Sequence, residues 1–335
     1  MKVNNIYDTI VSMDNLYLAD ANAQRGKSML KCVVAHNQNK EKELADLHDI
    51  LCFGKFKNSQ YTTFEIFEPK KRTIARLPFY PDRIVHHAVV NKMEKTWNEM
   101  LIKHTFCCIK GRGIKGCVDY VKSIVNNREL TRYCLKIDIH HYYQSINHDI
   151  LKRKLRKNIS DDRLLQLLDE VIDSYTDGVP IGNYLSQFFA NIYLCDFDKW
   201  VTKTMNCRRY ARYADDMVFF ASDKETLRIL LMRIKEYLNM LKLTLKGNEQ
   251  IFPVADNKYD KHGRGVDFCG VVFYHCQTCM RKTIKKKFAR KAKQMSNGTD
   301  ENQYKRALSS WYGWARMCNS KHLLQKIVNP KFYKI

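Results

Sequence analysis

Three aspartates stand where acidic side chains are costly, directly beside short apolar runs. Asp138 ends the alternating run YCLKID, and the pair Asp215-Asp216 lies between two β-rich runs, RRYARY and MVFFAS. Carboxylates crowded at the ends of buried strands are unfavourable unless cations neutralise them. Hard oxygen donors of this kind suit Mg²⁺, which takes one or two protein carboxylates per ion and keeps several waters. The pattern therefore predicts a metal centre.

Two such ions about 4 Å apart can activate a 3′-hydroxyl and stabilise a leaving pyrophosphate in an in-line displacement. The candidate metal ligands are Asp138, Ile139, Asp215 and Asp216. Adjacent strand residues point to opposite faces, so Asp215 and Asp216 cannot contribute equally. We assign Asp215 as the bridging ligand and Asp216 as a weaker or indirect one, and expect two Mg²⁺ ions with Mn²⁺ as a substitute. The alternative to a metal centre is that Asp215 and Asp216 are simply exposed residues of a turn.

Local patterns predict a chain of mixed helices and strands around these aspartates. Residues 1–50 have a helical pattern in which Leu44, Leu47, Ile50 and Leu51 recur at helical spacing. YTTFEIFEP alternates like a strand, and Asp82 stands where it would cap the next helix. Further helices are predicted at 148–175, from 186 and at 223–241, a short strand at LKLTL (241–245) and a hairpin at VDFCGVVFY (266–274).

The charge balance points to a polyanionic partner. The 335 residues include 58 Lys and Arg against 35 Asp and Glu, which gives a net charge of +23. Residues 281–335 contain 15 basic and 2 acidic residues, so +13 of that charge lies in this segment. Basic helices that neutralise phosphates release counterions, which favours nucleic acid. The candidate phosphate-binding residues are Lys285, Lys286, Lys287, Arg290 and Lys291.

Other interpretations of the composition are weaker. A solvated helix face usually mixes acidic with basic residues, and a membrane-bound chain needs a basic amphipathic helix or an apolar run of about 18 residues. The N-terminus has no signal-peptide pattern, and the 12 cysteines are scattered through the chain, which predicts a reducing, cytoplasmic setting. The lone pair Cys276 and Cys279 has zinc-like spacing but no second pair to complete a site.

From about residue 60 to the end, the order of motifs resembles the reverse transcriptases. Asp138 and YADD match their metal-binding motifs, and VDFCGVVFY resembles their primer grip. The resemblance implies an α+β right-hand polymerase fold with fingers, a palm whose antiparallel sheet carries the aspartates, and a helical thumb. It implies an N-terminal helical extension at 1–60, fingers and palm at 61–275, and a basic thumb at 276–335.

The same resemblance implies roles for residues that would bind the deoxynucleotide. Tyr143, five residues after Asp138, corresponds to the aromatic gate that excludes the ribose 2′-hydroxyl; the alternative is that Tyr142 or Tyr143 is a core residue. Residues 70–72 (Lys70, Lys71 and Arg72) resemble those that hold the triphosphate, with a solvated charge run as the alternative. Gln187 resembles the glutamine of the nucleotide pocket. Glu249 occupies the position where relatives often carry a proton-donating lysine, which leaves that role open, with Lys246 as a weak substitute.

One motif indicates a subfamily. The segment IGNYLSQ (181–187) differs from the Pro-Gln-Gly pattern of intron and retron enzymes and resembles the reverse transcriptases of diversity-generating retroelements. That resemblance implies error-prone copying of a template-repeat RNA at adenines, a cDNA/RNA hybrid, and a small, basic, helical, oligomeric accessory protein. Ile181 and Arg72 are then candidates for tolerance of mispairs. The alternatives are a retron-like or phage-defence enzyme and an inactive RNA-binding scaffold.

Overall fold

The computed structural model describes residues 2–67, 71–295 and 300–328. Within these ranges the helices are α1 (Tyr7–Val11), α2 (Met13–Gln24), α3 (Lys31–Gln38), α4 (Lys40–Cys52), α5 (Ile84–Met100), α6 (Gly113–Val125), α7 (His148–Asn158), α8 (Asp162–Asp173), α9 (Ser186–Tyr193), α10 (Cys195–Lys199), α11 (Lys224–Met240), α12 (Lys282–Met295), α13 (Glu301–Arg316) and α14 (Lys321–Ile327). The strands are β1 (Thr62–Ile66), β2 (Arg72–Arg76), β3 (Tyr133–Asp138), β4 (Tyr210–Tyr213), β5 (Asp216–Ala221), β6 (Gln250–Pro253), β7 (Val266–Phe268), β8 (Val271–Phe273) and β9 (Thr278–Met280).

The chain forms two compact units that alternate along the sequence. The first unit contains Met1–Ile102, His140–Lys199 and Tyr237–Thr244. The second contains Lys103–Ile139, Trp200–Glu236 and Leu245–Ile335. The predicted boundaries of extension, fingers, palm and thumb stay predictions, because compactness alone does not identify those subdomains.

Helices α1 to α5 all lie in the first unit. Leu44, Leu47 and Leu51 on α4 are fully buried, as their spacing predicts, but Ile50 is 37% exposed because it lies at the edge of that helical face. The capping prediction for Asp82 was wrong: helix α5 begins at Ile84 without a side-chain cap. The buried Asp82 carboxylate instead accepts the backbone N–H of Ser59 at 2.8 Å, a long-range contact that no local pattern reveals.

Strands β1 and β2 form a two-stranded antiparallel sheet, and the segment containing Ile181 is hydrogen-bonded to β2. The backbone N–H of Ala75 donates to the carbonyl oxygen of Ile181 at 2.8 Å. Gly182 is required next to this contact: its φ is +112°, and an added Cβ would lie 2.6 Å from the carbonyl oxygen of Ala75. The unusual IGN segment is thereby fixed against the strand that carries Arg72.

The central sheet of the second unit has the strand order β4-β5-β3-β6, and all its pairs are antiparallel. Apolar residues on one of its faces pack against α6: Cys117, Val118 and Val121 form one buried cluster with Val218 of β5 and Phe252 of β6. The predicted strand LKLTL was wrong. Lys242 has a left-handed φ of 55°, and only Leu245 forms a bridge, to Ile139.

The hairpin predicted at residues 266–274 is confirmed, and a third strand extends it into the sheet β7-β8-β9. The helices that follow pack around Phe288, Tyr304, Leu308 and Ala315 in a separate apolar cluster. Throughout the described ranges, no helix combines the length and the hydrophobicity needed to cross a bilayer.

The Asp161 carboxylate links the beginning of α8 to the beginning of α1 in the first unit. Its carboxylate caps α8 by accepting the N–H of Leu164 and also accepts the N–H groups of Ile6 and Tyr7 at 2.8 and 2.9 Å. Burial would raise the pKa of Asp161, but the N–H donors of Tyr7, Leu164 and Ile6 outweigh it and keep the pKa below its usual value.

Asp161→Ala should lower the free energy of unfolding at neutral pH by about 2 kcal/mol, because three N–H groups lose their acceptor. The lowered folded-state pKa means that this stabilisation is present above the unfolded pKa and is lost as pH falls through the folded one. Urea unfolding at pH 7 and about pH 3 measures both effects. The exposed neighbour Asp162, changed to Ala, should cost less than about 1 kcal/mol; equal losses for the two variants would contradict the assignment.

Candidate active site

The strand register of the central sheet brings the three predicted aspartates to one end. Asp138, the last residue of β3, pairs directly with Asp216, the first residue of β5. Tyr213 pairs with Asp216 on the other side, so Ala214 and Asp215 form the two-residue turn of the β4–β5 hairpin. The backbone N–H of Ile139 donates to the carbonyl oxygen of Asp215 at 3.3 Å. The end of β3 and the hairpin turn are therefore tied together.

The turn itself is held by a buried arginine. Ala214 has a φ of 57°, a left-handed conformation that is uncommon outside glycine. Its carbonyl oxygen accepts a hydrogen bond at 3.1 Å from Nη1 of Arg212, whose side chain has no solvent exposure. Arg212 lies on β4, and its backbone hydrogen-bonds with both His104 and Phe106. The buried guanidinium of Arg212 therefore stabilises the left-handed conformation of Ala214 in the turn.

The surroundings of Asp216 disfavour the ionised form of its carboxyl group. Burial raises the pKa of the Asp216 carboxyl to about 6, and the carboxylates of Asp138 and Asp215 push it in the same direction. The charges of Lys136 and Arg281 act against this increase. Within the described part of the chain, Oδ1 of Asp216 is buried and has no hydrogen-bond partner. A carboxylate in this state favours a nearby cation.

Two lysines contact the carboxylates. Nζ of Lys246 lies 3.2 Å from Oδ2 of Asp138, and Nζ of Lys136 lies 3.6 Å from Oδ2 of Asp216. Glu249, which occupies the position expected for a lysine, instead pairs with Lys235 at 3.4 Å. Lys246 is thus the lysine of its segment that reaches the cluster.

The donor set fits a divalent cation that is completed by other ligands. The carboxylate oxygens are hard donors, and the unpartnered Oδ1 of Asp216 is an orphaned acceptor. In residues 2–67, 71–295 and 300–328, however, no three His, Cys, Asp or Glu side chains converge to enclose one ion. Mg²⁺ characteristically takes few protein carboxylates and adds waters and substrate phosphates. Among these described residues, Cys276 and Cys279 likewise belong to no group of three such side chains.

The predicted nucleotide-binding residues belong to the first unit. Tyr142 is 2% exposed and its hydroxyl donates to the carbonyl oxygen of Ala190, whereas Tyr143 is half-buried. The alternative of a core residue therefore holds for Tyr142. The backbone carbonyl of Tyr143 accepts the N–H of Val179 at 2.9 Å, which secures this corner.

The remaining pocket residues lie on β2 and α9. Arg72 is exposed at the start of β2, and Nζ of Lys71 pairs with Glu65 at 2.9 Å. Lys70 lies outside the described residues. Ile181 and Gln187 are half-buried, and Gln187 occupies the first turn of α9. Their joint role with the carboxylates stays a prediction.

The predicted phosphate-binding residues lie along one helix of the second unit. On α12, Lys285, Lys286, Lys287 and Arg290 are exposed, and Lys291 is half-buried. Phe288 and Ala292 point into the apolar cluster instead. The helix therefore separates an apolar buried face from a basic solvent face, as an electrostatic nucleic-acid contact requires.

Comparison with known proteins identifies the family. The model of the reverse transcriptase (RNA-dependent DNA polymerase) family matches residues 67–249, more than half of the chain and a range that includes all three aspartates. The chain belongs to the reverse transcriptase family. Protein YkfC of Escherichia coli strain K12 is 26% identical over 174 residues, which cover 48% of this chain and 45% of YkfC. The chain thus aligns with less than half of that relative.

Solved structures resemble the fold. Telomerase from Candida tropicalis superposes with a TM-score of 0.51 at 11% identity in its apo form, covering 82% of this chain and 60% of telomerase. Its complex with a fragment of telomeric RNA gives 0.51 at 12% identity, covering 81% and 55%. This likeness and the family match confirm the predicted α+β right-hand polymerase fold.

Sequence reasoning missed Lys136 and Arg212 as parts of the site. Lys136 stands two residues before Asp138, and alternate residues of a strand share a face, so periodicity could have placed both on one side of β3. Arg212 has no comparable signal. An arginine in a strand is usually exposed, and only its burial against the turn shows what it does.

Tyr143→Ala should admit ribonucleotides, because it removes the half-buried ring at this corner while the backbone hydrogen bond to Val179 remains. We expect discrimination between rNTP and dNTP, measured as the ratio of kcat/KM values, to fall about tenfold or more. Tyr142→Phe is the matched control: it removes only the hydroxyl that donates to Ala190 and should leave the ratio unchanged. An unchanged ratio in Tyr143→Ala would show that the gate has been assigned to the wrong residue.

Proposed function

We propose that this chain is an RNA-directed DNA polymerase. The observation that carries the proposal is the cross-strand pair of Asp138 and Asp216 beside the turn residue Asp215, inside the segment that matches the reverse transcriptase family. Two carboxylates directly opposite each other destabilise a sheet, so an arrangement of this kind suggests a functional cation site. The assignments of catalytic and metal-binding residues are part of this proposal.

Asp138, Asp215 and Asp216 would hold the divalent ions, with the backbone of Ile139 beside them. When bound, such ions activate the 3′-hydroxyl and stabilise the departing pyrophosphate. The chain's own contribution is to fix the carboxylates. Arg212 holds the Ala214 carbonyl and thereby the turn, and Lys136 contacts Asp216. Lys246 contacts Asp138 and partly neutralises it before any cation binds.

The substrate contacts are assigned by the chemistry of the side chains. Arg72 can hold phosphate oxygens with its planar guanidinium, and Lys71 adds a mobile ammonium. Tyr143 excludes the 2′-hydroxyl, and Gln187 and Ile181 border the incoming dNTP. The basic face of α12 holds the backbone of the template RNA and of the cDNA/RNA hybrid. It gains affinity from released counterions, which makes binding dependent on salt.

Asp215→Ala is the direct test of this function. DNA synthesis on a primed RNA template should fall about 10³-fold or more, because a ligand of the reacting centre is lost. Affinity for the template–primer should change little, since the basic face of α12 is intact. The control Asp119→Ala removes an exposed carboxylate of α6 that pairs with Lys115, and should retain normal synthesis. Activity of the Asp215 variant above about a tenth of wild type would exclude the proposed centre.

We further propose that the enzyme belongs to a diversity-generating retroelement and makes cDNA with errors concentrated at template adenines. The support is the segment IGNYLSQ, whose first residue accepts a backbone hydrogen bond from Ala75 on the strand that carries Arg72. A residue at this position can alter how firmly a correct pair is held. A small, basic, oligomeric helical protein would be its accessory partner.

The error spectrum tests the finer proposal. Discrimination is a difference between transition-state energies, so holding the correct pair about 1.4 kcal/mol less tightly gives up a factor of ten. Ile181→Asn or Arg72→Ala should change the misincorporation frequency opposite adenine. Lys305→Ala, an exposed residue of α13 paired with Glu301, should not. Sequencing of cDNA from a template with all four bases in varied contexts measures these frequencies.

The same data separate the alternatives. Equal error rates at the four template bases would remove the retroelement assignment and leave the polymerase. A retron-like or phage-defence enzyme then becomes the better proposal, and the absence of a template and variable repeat pair near the gene would favour it. A chain that binds RNA but extends no primer with Mg²⁺ or Mn²⁺ would be the inactive scaffold.

A further inference from the structure

A series of charged contacts links Asp216 to the beginning of helix α12 within the second unit. Nζ of Lys136 lies 3.6 Å from Oδ2 of Asp216 and donates to the backbone carbonyl oxygen of Asp267 at 2.5 Å. The carboxylate of Asp267 accepts from Nε of Arg281 at 2.6 Å. Arg281 immediately precedes the first residue of α12. The contacts therefore run from the aspartate cluster through β7 to the basic helix.

Arg281 is attached to the β7–β8 hairpin at a second point. Its backbone N–H donates to the carbonyl oxygen of Gly270, in the turn of that hairpin, at 3.0 Å. Gly270 has a φ of +79°, and an added Cβ would lie 2.6 Å from the ring of Trp314 and 2.8 Å from Ile284. The turn, α12 and α13 are thus closely packed. We therefore expect a displacement of the first residues of α12 to displace the β7–β8 turn as well.

None of the three charged side chains that form this series is fully buried. The side chains of Lys136, Arg281 and Asp267 are 27%, 35% and 48% exposed, respectively. An isolated, partly exposed ion pair contributes little by itself. The continuity of the contacts, rather than any single pair, is therefore what can matter.

We propose that Lys136 and Arg281 are positioning residues that hold Asp216 and the β7–β8 turn in a fixed relation to helix α12. The inference rests on the proposed function and deepens it. Phosphates bound by the basic face of α12 restrain the start of that helix, and Arg281 and Lys136 pass this restraint to the hairpin that carries Asp215 and Asp216. Nucleic-acid binding and the order of the catalytic hairpin are thereby coupled.

A double-mutant cycle tests the coupling. Lys136→Met and Arg281→Met should each lower the turnover of primer extension about tenfold, with the template–primer Kd within about threefold of wild type. The double variant should be no more than about twofold slower than the slower single variant, because both changes break one connection. Lys136→Arg keeps the cation and should recover turnover to within about threefold. Effects that multiply in the double variant would overturn the proposal.

Two further variants sharpen the comparison. Asp267→Ala removes the side chain that accepts a hydrogen bond from Arg281 but keeps the backbone carbonyl that Lys136 contacts, so it should reproduce the Arg281→Met turnover. Arg228→Met removes an exposed guanidinium of the same unit, paired with Glu225 at 3.2 Å, and should behave as wild type. Loss of turnover in the Arg228 variant as large as in Arg281→Met would show a general effect of lost charge and overturn the assignment.

Cys269 provides a readout that does not depend on catalysis. It lies in the β7–β8 turn beside Gly270, is half-buried, and its Sγ contacts that of Cys117 at 3.4 Å. Alkylation of Cys269 by iodoacetamide, followed by peptide mass spectrometry, should be about fivefold faster or more in Lys136→Met and Arg281→Met than in wild type, because the turn opens more often. Arg228→Met should react like wild type. An unchanged rate in both test variants overturns the inference.

The two proposals fail in distinguishable ways. If the wild-type chain extends no primer, the proposed polymerase function is wrong, and the alkylation rates alone decide whether Lys136 and Arg281 hold the turn. If wild type is active and the cycle shows independent effects, the polymerase stands and the coupling is wrong.

Discussion

Asp138 and Asp216 face each other across two neighbouring strands, and this like-charge contact determines what surrounds it. Directly opposed residues of an antiparallel pair bring their Cβ atoms to about 5 Å, where equal charges destabilise the sheet. The chain balances them with Lys246 beside Asp138 and Lys136 beside Asp216. Oδ1 of Asp216 still lacks a hydrogen-bond partner among the described residues. The repulsion is therefore reduced but not removed, which is the condition under which a site favours added cations.

The surrounding sheet and hairpin turn hold the two aspartates in place despite their repulsion. The paired residues lie at one end of a four-stranded sheet, and apolar side chains on one face of that sheet pack against α6. The cost of opposing two carboxylates is therefore offset by burial elsewhere. The buried Arg212 side chain donates a hydrogen bond to the carbonyl oxygen of Ala214 and so holds the hairpin turn. In the first unit, backbone hydrogen bonds to Val179 and Ala75 hold the segments that carry Tyr143 and Ile181.

The family match bears on the chemistry of the site, whereas the structural likeness bears only on the fold. The family match covers the segment that carries the aspartates, and so it bears on the chemistry of those residues. The telomerase structures share only 11–12% identity, and their likeness concerns the path of the chain. What distinguishes this chain within the family must come from its own residues. The IGN segment held against β2 and the contact of Lys246 with Asp138 are two features that the structure describes.

The sequence by itself determined the acidic centre, the mixed fold and the basic C-terminal helix, because each depends on local periodicity or on residue type. Alternation predicted β3 and the β4–β5 hairpin, and charge predicted the solvent face of α12. Only the tertiary structure decided that Asp82 accepts from Ser59, that LKLTL is not a strand, and that Lys136 and Arg212 support the aspartates. These outcomes depend on contacts between residues far apart in sequence or on which face of an element is covered. No local pattern contains that information, because each contact stabilises the fold only when its distant partner has been brought next to it.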